Sequence, residues 1–156
     1  MVSSDLDGSR ENAVFRKLAG FRELAHTADW ELEAWAEDLP GLLEQAARGM
    51  LHLAGARLQD SPRQTLSLHL TAADPESLLV IFLGELLFRM EQDHLGFRDY
   101  ELDVHNVADP AGLELNASLQ AQPLLSMDKE IKAVTYHRLQ VQPTPQGLRT
   151  RIVFDV

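Results

Sequence analysis

Three side chains that can bind a metal ion or move a proton stand close together near the start of the chain. His26, Thr27 and Asp29 supply an imidazole, a hydroxyl and a carboxylate. The residues that follow, 30–35, alternate between apolar and acidic side chains as far as Ala34, a pattern typical of a β-strand with one covered face. A carboxylate at the mouth of such a strand is held by the sheet, so it is better placed for chemistry than a carboxylate on a mobile loop.

The far end of the chain carries further carboxylates. Residues 151–156 are expected to form a closing strand that contains Asp155, and the α-carboxylate of Val156 stands one position beyond it. Hard cations such as calcium or magnesium prefer oxygen ligands, so Asp29 and Asp155, with main-chain carbonyls or water, could hold such an ion between two strands. The alternative is that both acids are simply solvated, as acids near strand ends usually are.

The segment 130–137 (EIKAVTYH) contains further candidates. Lys132 is either a structural ion-pair partner for nearby acids or the cation that meets a phosphate or a partner's carboxylate. Tyr136 and His137 either hydrogen-bond across a sheet or serve as a packed aromatic ring and a satisfied imidazole. On the residues alone, the structural alternative is the more common one for each.

Two amphipathic helices and a set of strands are predicted to position these side chains. Asp38 and Asp74 stand just before prolines, which is a helix start signal because the carboxylate accepts hydrogen bonds from otherwise unpaired amides. The first helix is expected to end near Gly55, and the second at Gly96, because glycine adopts a left-handed conformation without steric cost. The pattern predicts a two-layer α+β fold with a mostly antiparallel sheet and two amphipathic helices. The predicted strands are 21–24, 30–36, 64–71, 98–107, 113–122, 130–141 and 148–156, with a loop at 123–129.

Length and composition limit the classes of protein to which the chain can belong. Its 156 residues, 45% of them hydrophobic, are enough for one core, so we expect a single domain at 19–156 behind a flexible leader at 1–18. The net charge of −10 opposes contact with an RNA or DNA backbone and favours cationic partners. The absence of cysteine removes disulfides, thiolate zinc sites and a cysteine nucleophile. No apolar run approaches the ~20 residues of a membrane span, so a cytoplasmic protein without a membrane partner is expected.

Familiar catalytic signatures are missing from the sequence. It contains no G-x-x-x-x-G-K-[ST] loop, no G-x-G-x-x-G after a strand and no G-x-S-x-G turn for a hydrolase serine. It also lacks an H-x-x-x-H pair for zinc. The chain therefore carries no self-sufficient catalytic motif.

Several segments of the sequence resemble the archease family. They are the HTAD motif that leads into the strand at 30–36, the helix run EQAARGM at 44–50, the segment 78–89, the EIKAVTYH block and the final FDV. The resemblance implies a small accessory protein, not itself an enzyme, for an RtcB-type RNA ligase, which joins tRNA halves and other cleaved RNA with GTP and manganese. Such a protein would promote guanylylation of the ligase histidine, allow multiple turnover, and meet RNA only through the ligase.

The resemblance also implies roles for particular residues. Asp29 and Asp155, with the terminal Val156, would hold a divalent cation, calcium being favoured and magnesium or manganese being the alternatives. Residues with a functional or partner-facing role would be Lys132, His26 and His137.

One position departs from the family pattern. Ala25 stands where the family commonly has an acid before the HTAD motif, so one possible oxygen ligand is missing. Glu31 would compensate if the strand turned its side chain inward, although its alternation with Leu32 directs it away from the core.

Two other functions remain as alternatives to the accessory role. The first is a stand-alone metal-dependent phosphoryl-transfer or hydrolytic enzyme that uses the same acids, with His26 as its base. The second is a purely structural binding module, for which removal of metal would change nothing. A homo-oligomer is left open.

Overall fold

The structure, a computed structural model, describes residues 18–24 and 30–156. The predicted leader, apart from its last residue, lies outside this part of the chain. The same is true of the HTAD motif, with His26 and Asp29, and of Ala25. The division into a leader and one domain stays a prediction.

The described chain contains two helices and nine strands in an α+β arrangement, as predicted. Every strand pair is antiparallel, and the strands form two sheets. The helices are α1 (Leu39–Leu53) and α2 (Pro75–Asp93). The strands are β1 (Gly20–Leu24), β2 (Trp30–Ala36), β3 (Arg57–Leu58), β4 (Gln64–Ala72), β5 (Leu95–Ala108), β6 (Ala111–Ser126), β7 (Ala133–Val134), β8 (Gln142–Thr144) and β9 (Gly147–Asp155).

Both helices begin where the sequence predicts. The Asp38 carboxylate accepts a hydrogen bond of 2.8 Å from the Gly41 amide, and the Asp74 carboxylate accepts one of 2.7 Å from the Ser77 amide. A proline stands in the first turn of each helix, where its missing N–H is not needed. The cap and the proline are local signals, so they need no knowledge of the rest of the fold.

The second helix does not end at the predicted residue. His94, not Gly96, adopts the left-handed conformation after α2, with φ of 53°. Gly96 lies inside β5, where a Cβ atom would collide with the Leu58 side chain. The glycine therefore leaves room for the Leu58 side chain between β3 and β5, a role that the local sequence does not reveal.

The first sheet has the order β1-β2-β9-β7, and β8 also pairs with β9. Trp30 lies opposite Phe154, and Leu32 lies opposite Ile152. Leu32, Ile152 and Phe154 are fully buried on the inner face, and α1 packs against β2. The strand that follows the HTAD motif and the strand that closes the chain are thus neighbours.

The second sheet is built around β6, which pairs with β3, β4 and β5. Its inner face carries the buried Leu68, Leu115 and Leu119, and α2 packs against β4. The two helices also pack against each other, so one apolar core is shared.

Two predicted boundaries near the functional segment are wrong. Residues 123–126, expected in a loop, extend β6 and pair with β3. Residues 130–141, expected in one strand, pair with β9 only at Ala133–Val134. Thr135 then directs both its amide and its hydroxyl to the Val153 carbonyl, at 3.0 and 2.9 Å, and Arg138 takes a positive φ of 54°. The Thr135 hydrogen bonds still hold the chain on β9, and the chain leaves the sheet in the turn at 137–138.

Neither helix in the described ranges, 18–24 and 30–156, is long and apolar enough to cross a membrane.

Candidate functional site

The closing strand ends in an exposed acid that is held by a buried neighbour. Phe154 is fully buried beneath the sheet, whereas the next residue, Asp155, is exposed. Successive strand residues face opposite sides, so burial of Phe154 directs the Asp155 side chain outward. A carboxylate in this position is fixed by the sheet and accessible to a ligand.

Lys132 is brought to the same end of the sheet. Its amide donates a hydrogen bond of 2.8 Å to the Asp155 carbonyl, and Ala133 lies directly opposite Asp155. Among the described residues no ion pair joins the Lys132 ammonium to the Asp155 carboxylate. The fold therefore brings two of the predicted functional residues together through their backbones and leaves both charged groups exposed to solvent.

The other half of the predicted metal pair lies outside the described residues, as does His26. The described residue next to Asp29 in the chain is Trp30, and it faces Phe154 across the β2–β9 ladder. The ammonium of Lys129 lies 3.3 Å from the centroid of the Trp30 ring, a cation–π contact. This contact fixes one lysine over the first residue of β2.

His137 does not join Lys132 and Asp155. It stands in the turn after β7, where its amide donates to the Thr135 hydroxyl at 3.3 Å. Its side chain lines a cavity of about 360 Å³ together with Arg138, Arg149 and Arg151. We refer to this recess as the arginine cavity.

The described part of the chain does not by itself contain a complete metal site. In residues 18–24 and 30–156, no group of three or more His, Asp or Glu side chains is arranged to hold a metal ion. Asp155 is an exposed oxygen donor, which suits a hard cation, but a shared site also requires Asp29. The predicted metal site thus stays a prediction.

Comparison with known proteins adds information that the geometry does not contain. The model of the archease protein family (MTH1598/TM1083) matches residues 21–156, which is most of the chain. The chain belongs to the archease family.

Relatives in this family come from archaea and from a eukaryote. The archease of Methanosarcina barkeri is 32% identical over 144 residues, which cover 87% of this chain and 95% of that protein. An archease-like protein of Dictyostelium discoideum is 30% identical over 151 residues, with 90% and 95% covered. The solution structure of protein 1598 from Methanobacterium thermoautotrophicum has a TM-score of 0.70 and covers 88% of this chain and 99% of that one. At 24% identity, it is evidence for the shared archease fold alone.

Sequence reasoning missed the three arginines of the cavity. Arg149 and Arg151 are two positions apart in the predicted closing strand, so period-two alternation places both on one face. That signal was available, but the convergence of Arg138 on the same face depends on a turn that the residues alone do not predict. The family match extends over all of them, yet it assigns no role to any.

Proposed function

We propose that this archease is an accessory activator of an RtcB-type RNA ligase, without being a ligase itself. It would promote guanylylation of the ligase histidine and allow multiple turnover in tRNA splicing and RNA repair. The observation that carries the proposal is the pairing of Trp30 with Phe154 in a member of the archease family. Asp29 and Asp155 are the covalent neighbours of this opposed pair, which supports a cation shared between them.

The proposed site would hold a divalent cation through Asp29, Asp155 and Val156. The donors are all oxygen, which suits a hard cation. Calcium is favoured by the family resemblance, and magnesium or manganese are the alternatives. When bound, the cation would supply positive charge near the phosphates of the ligase nucleotide. The chain's own contribution is to hold the Asp155 carboxylate at the exposed end of β9, anchored by the buried Phe154.

Lys132 is proposed to meet the partner directly. Its backbone is tied to β9 by the hydrogen bond to the Asp155 carbonyl, so its ammonium is presented from a fixed point. An ammonium in this position can bind a phosphate oxygen or a carboxylate of the partner. The remaining negative charge of the chain, −10 overall, favours docking beside the basic RNA groove of a ligase.

An apolar groove next to the site supports a role in protein binding. Ile131, the residue before Lys132, lines a cavity of about 420 Å³ between α2 and β6, together with Leu87, Met90 and Leu125. Leu125 is 66% exposed, an unusual state for a leucine beside a recess. A ligase that contacts Lys132 would therefore also cover apolar surface on this archease.

The decisive experiment replaces one carboxylate. The variant Asp155→Asn should abolish the increase in ligase turnover on cleaved RNA, because it removes a charged oxygen ligand while leaving the strand intact. Asp60→Asn, an exposed acid in the loop before β4, is the matched control and should stimulate fully. Circular dichroism would verify that both variants fold. Full stimulation by Asp155→Asn would rule out the proposed site.

Two further measurements separate this function from its alternatives. Calorimetric titration with Ca²⁺, Mg²⁺ and Mn²⁺ should show binding that Asp155→Asn weakens. Protein that is stripped of metal by a chelator and dialysed before it is added to the ligase should lose its stimulation. A structural module would be unaffected by the chelator. Incubation of the protein with GTP and RNA ends but without ligase should give no product, whereas product would indicate a stand-alone enzyme.

A further inference from the structure

Arginines in the described part of the chain fall into two groups. Those of the first group each form an ion pair with a carboxylate; they are Arg22, Arg48, Arg57, Arg63 and Arg89. Arg138, Arg149 and Arg151 form no ion pair or side-chain hydrogen bond with any described residue, and all are exposed. Apart from the half-buried Arg98, those arginines of residues 18–24 and 30–156 that have no carboxylate partner therefore gather in one place, the arginine cavity.

The cavity is built by the fold rather than by flexible side chains meeting at random. Arg149 and Arg151 lie on the outer face of β9, on either side of Thr150, which is only 2% exposed. The Thr150 hydroxyl donates a hydrogen bond of 2.8 Å to the Gln140 carbonyl, so the loop that carries Arg138 is tied to β9. Arg138 itself has φ of 54°, a conformation that costs a non-glycine residue energy and is kept only where surrounding structure enforces it.

The charge of the cavity is positive although the chain is strongly acidic. Glu31 is the acidic residue among its described lining residues, against the guanidinium groups of Arg138, Arg149 and Arg151. Glu33, which lies opposite Arg151 in the sheet, is already bound to Arg22 at 2.9 Å. Charges farther than about 8–10 Å away are largely screened at physiological salt, so the net charge of the chain does not cancel this local field.

Two aromatic residues neighbour the arginine cavity, one next to a lining residue in sequence and one in a recess that shares Arg149. Tyr136, adjacent in sequence to His137, is 57% exposed. On the other side, Arg149 also lines a neighbouring recess of about 730 Å³ with Trp35 and Pro143. Tyr136 is exposed and Trp35 is half-buried. A positive recess near an exposed aromatic ring is a combination by which proteins bind single-stranded nucleic acid, because the cations track phosphates and the ring stacks on a base.

We propose that the arginine cavity binds the phosphodiester backbone of a single-stranded polynucleotide directly. The guanidinium groups would each contact a phosphate, with Tyr136 stacking on a base. This goes beyond an accessory role in which RNA is met only through the ligase. The choice of RNA as the natural ligand rests on the proposed function, but the binding itself requires no ligase.

The test measures binding of a fluorescently labelled single-stranded RNA to the protein alone, by anisotropy, over a range of salt concentrations. The double variant Arg149→Gln/Arg151→Gln should bind at least ~10-fold more weakly. It should also reduce the slope of log affinity against log salt by roughly 1.4, about 0.7 for each lost phosphate contact. Tyr136→Ala should weaken binding by roughly fivefold or more, because it removes a stacking platform.

The matched control is Arg57→Gln/Arg63→Gln, which changes the net charge equally but removes arginines that are already paired with Asp128 and Asp99. It should bind as the native protein does. If single-stranded DNA binds similarly, and Arg149→Gln/Arg151→Gln loses this binding too, the result supports recognition of the phosphodiester backbone. An equal loss in the control, or no binding by the native protein, would overturn the proposal. The proposal would also be overturned if poly-glutamate displaced the labelled RNA as effectively as unlabelled RNA does. Because no ligase is present, any such failure leaves the proposed activation of a ligase untouched.

Discussion

The outer faces of the two sheets use similar polar side chains in opposite ways. On the second sheet, the Glu114 carboxylate lies 3.0 Å from the His69 imidazole and 3.4 Å from the His105 imidazole, so acid and base satisfy each other. On the first sheet, Arg149 and Arg151 face outward without a carboxylate partner among the described residues. Paired charges stabilise a surface without offering it to a ligand, whereas unpaired charges of one sign in a recess cost repulsion and bind a counter-charge. The first sheet is therefore the functional face in our interpretation.

The largest effect is expected when the Phe154 side chain, which anchors β9 to the core, is removed. Phe154→Ala should lower the free energy of unfolding by about 3–5 kcal/mol, since Phe154 is fully buried and its loss leaves a cavity. Because β9 carries both Asp155 and the two strand arginines, ligase stimulation and RNA binding should fall together. Urea denaturation measures the first effect, and turnover and anisotropy assays measure the other two.

Leu115→Ala is the matched change in the second sheet. Leu115 is also fully buried, so a loss of about 2–5 kcal/mol is expected. Under conditions where both variants remain folded, Leu115→Ala should keep native RNA binding and stimulation. If it lost them as Phe154→Ala does, the functional difference between the two sheets would not exist.

A smaller effect is expected at the start of α2, which packs on the second sheet. Asp74→Ala should cost about 1 kcal/mol, because the Ser77 amide loses its acceptor. Asp74→Asn should cost much less, since asparagine caps equally well. The Ser77 hydrogen bonds hold the pKa of Asp74 below its usual 3.8, so the charged cap contributes above that pH and is lost as the pH falls below it. Thermal unfolding at neutral and acid pH tests both statements, and RNA binding should not change.

Arg138→Gly separates stability from binding within the arginine cavity. Glycine accepts a positive φ without steric cost, so the variant should gain up to ~1 kcal/mol, partly offset by the entropy of glycine in the unfolded chain. It should nevertheless bind RNA more weakly, because one guanidinium is gone. A variant that is less stable but binds normally would show that Arg138 is a structural residue.

Local signals in the sequence account for most of the fold that was predicted correctly. The caps at Asp38 and Asp74 and the strand at 30–36 depend on neighbouring residues, and all appear as expected. The two-residue strand β3 and the end of β6 depend on pairing across sixty or more positions, which no local pattern contains. For the same reason, β7 is much shorter than the strand that was predicted at 130–141.

As with the fold, only part of the candidate site could be predicted from the sequence. Lys132 and Asp155 were both singled out, and their segments meet through a short stretch of β-ladder. The family resemblance implied a functional or partner-facing role for His137 too, and the turn after Thr135 places this residue in the arginine cavity rather than beside Lys132 and Asp155. That cavity requires the strand β9 and a distant loop to be folded together. Residue types alone could therefore indicate its strand arginines but not their convergence with Arg138.

The smallest predicted effect concerns the titration of Glu114, on the outer face of the second sheet. The hydrogen bond from His69 lowers the pKa of the Glu114 carboxyl from its usual 4.5, and desolvation opposes this lowering in part. A lowered pKa in the folded state means that the ionised carboxylate contributes stability above pH 4.5, and that this contribution is lost as the pH falls below 4.5.

Glu114→Gln removes this titration while keeping a side-chain oxygen that can accept from the imidazole. We therefore expect the melting temperature of the native protein to fall slightly more than that of Glu114→Gln between pH ~6 and pH ~3. RNA binding at neutral pH should be the same for both, because Glu114 lies on the face whose charges already satisfy one another. Weaker RNA binding by Glu114→Gln would assign a ligand to the second sheet as well, and the contrast between the two faces would fail.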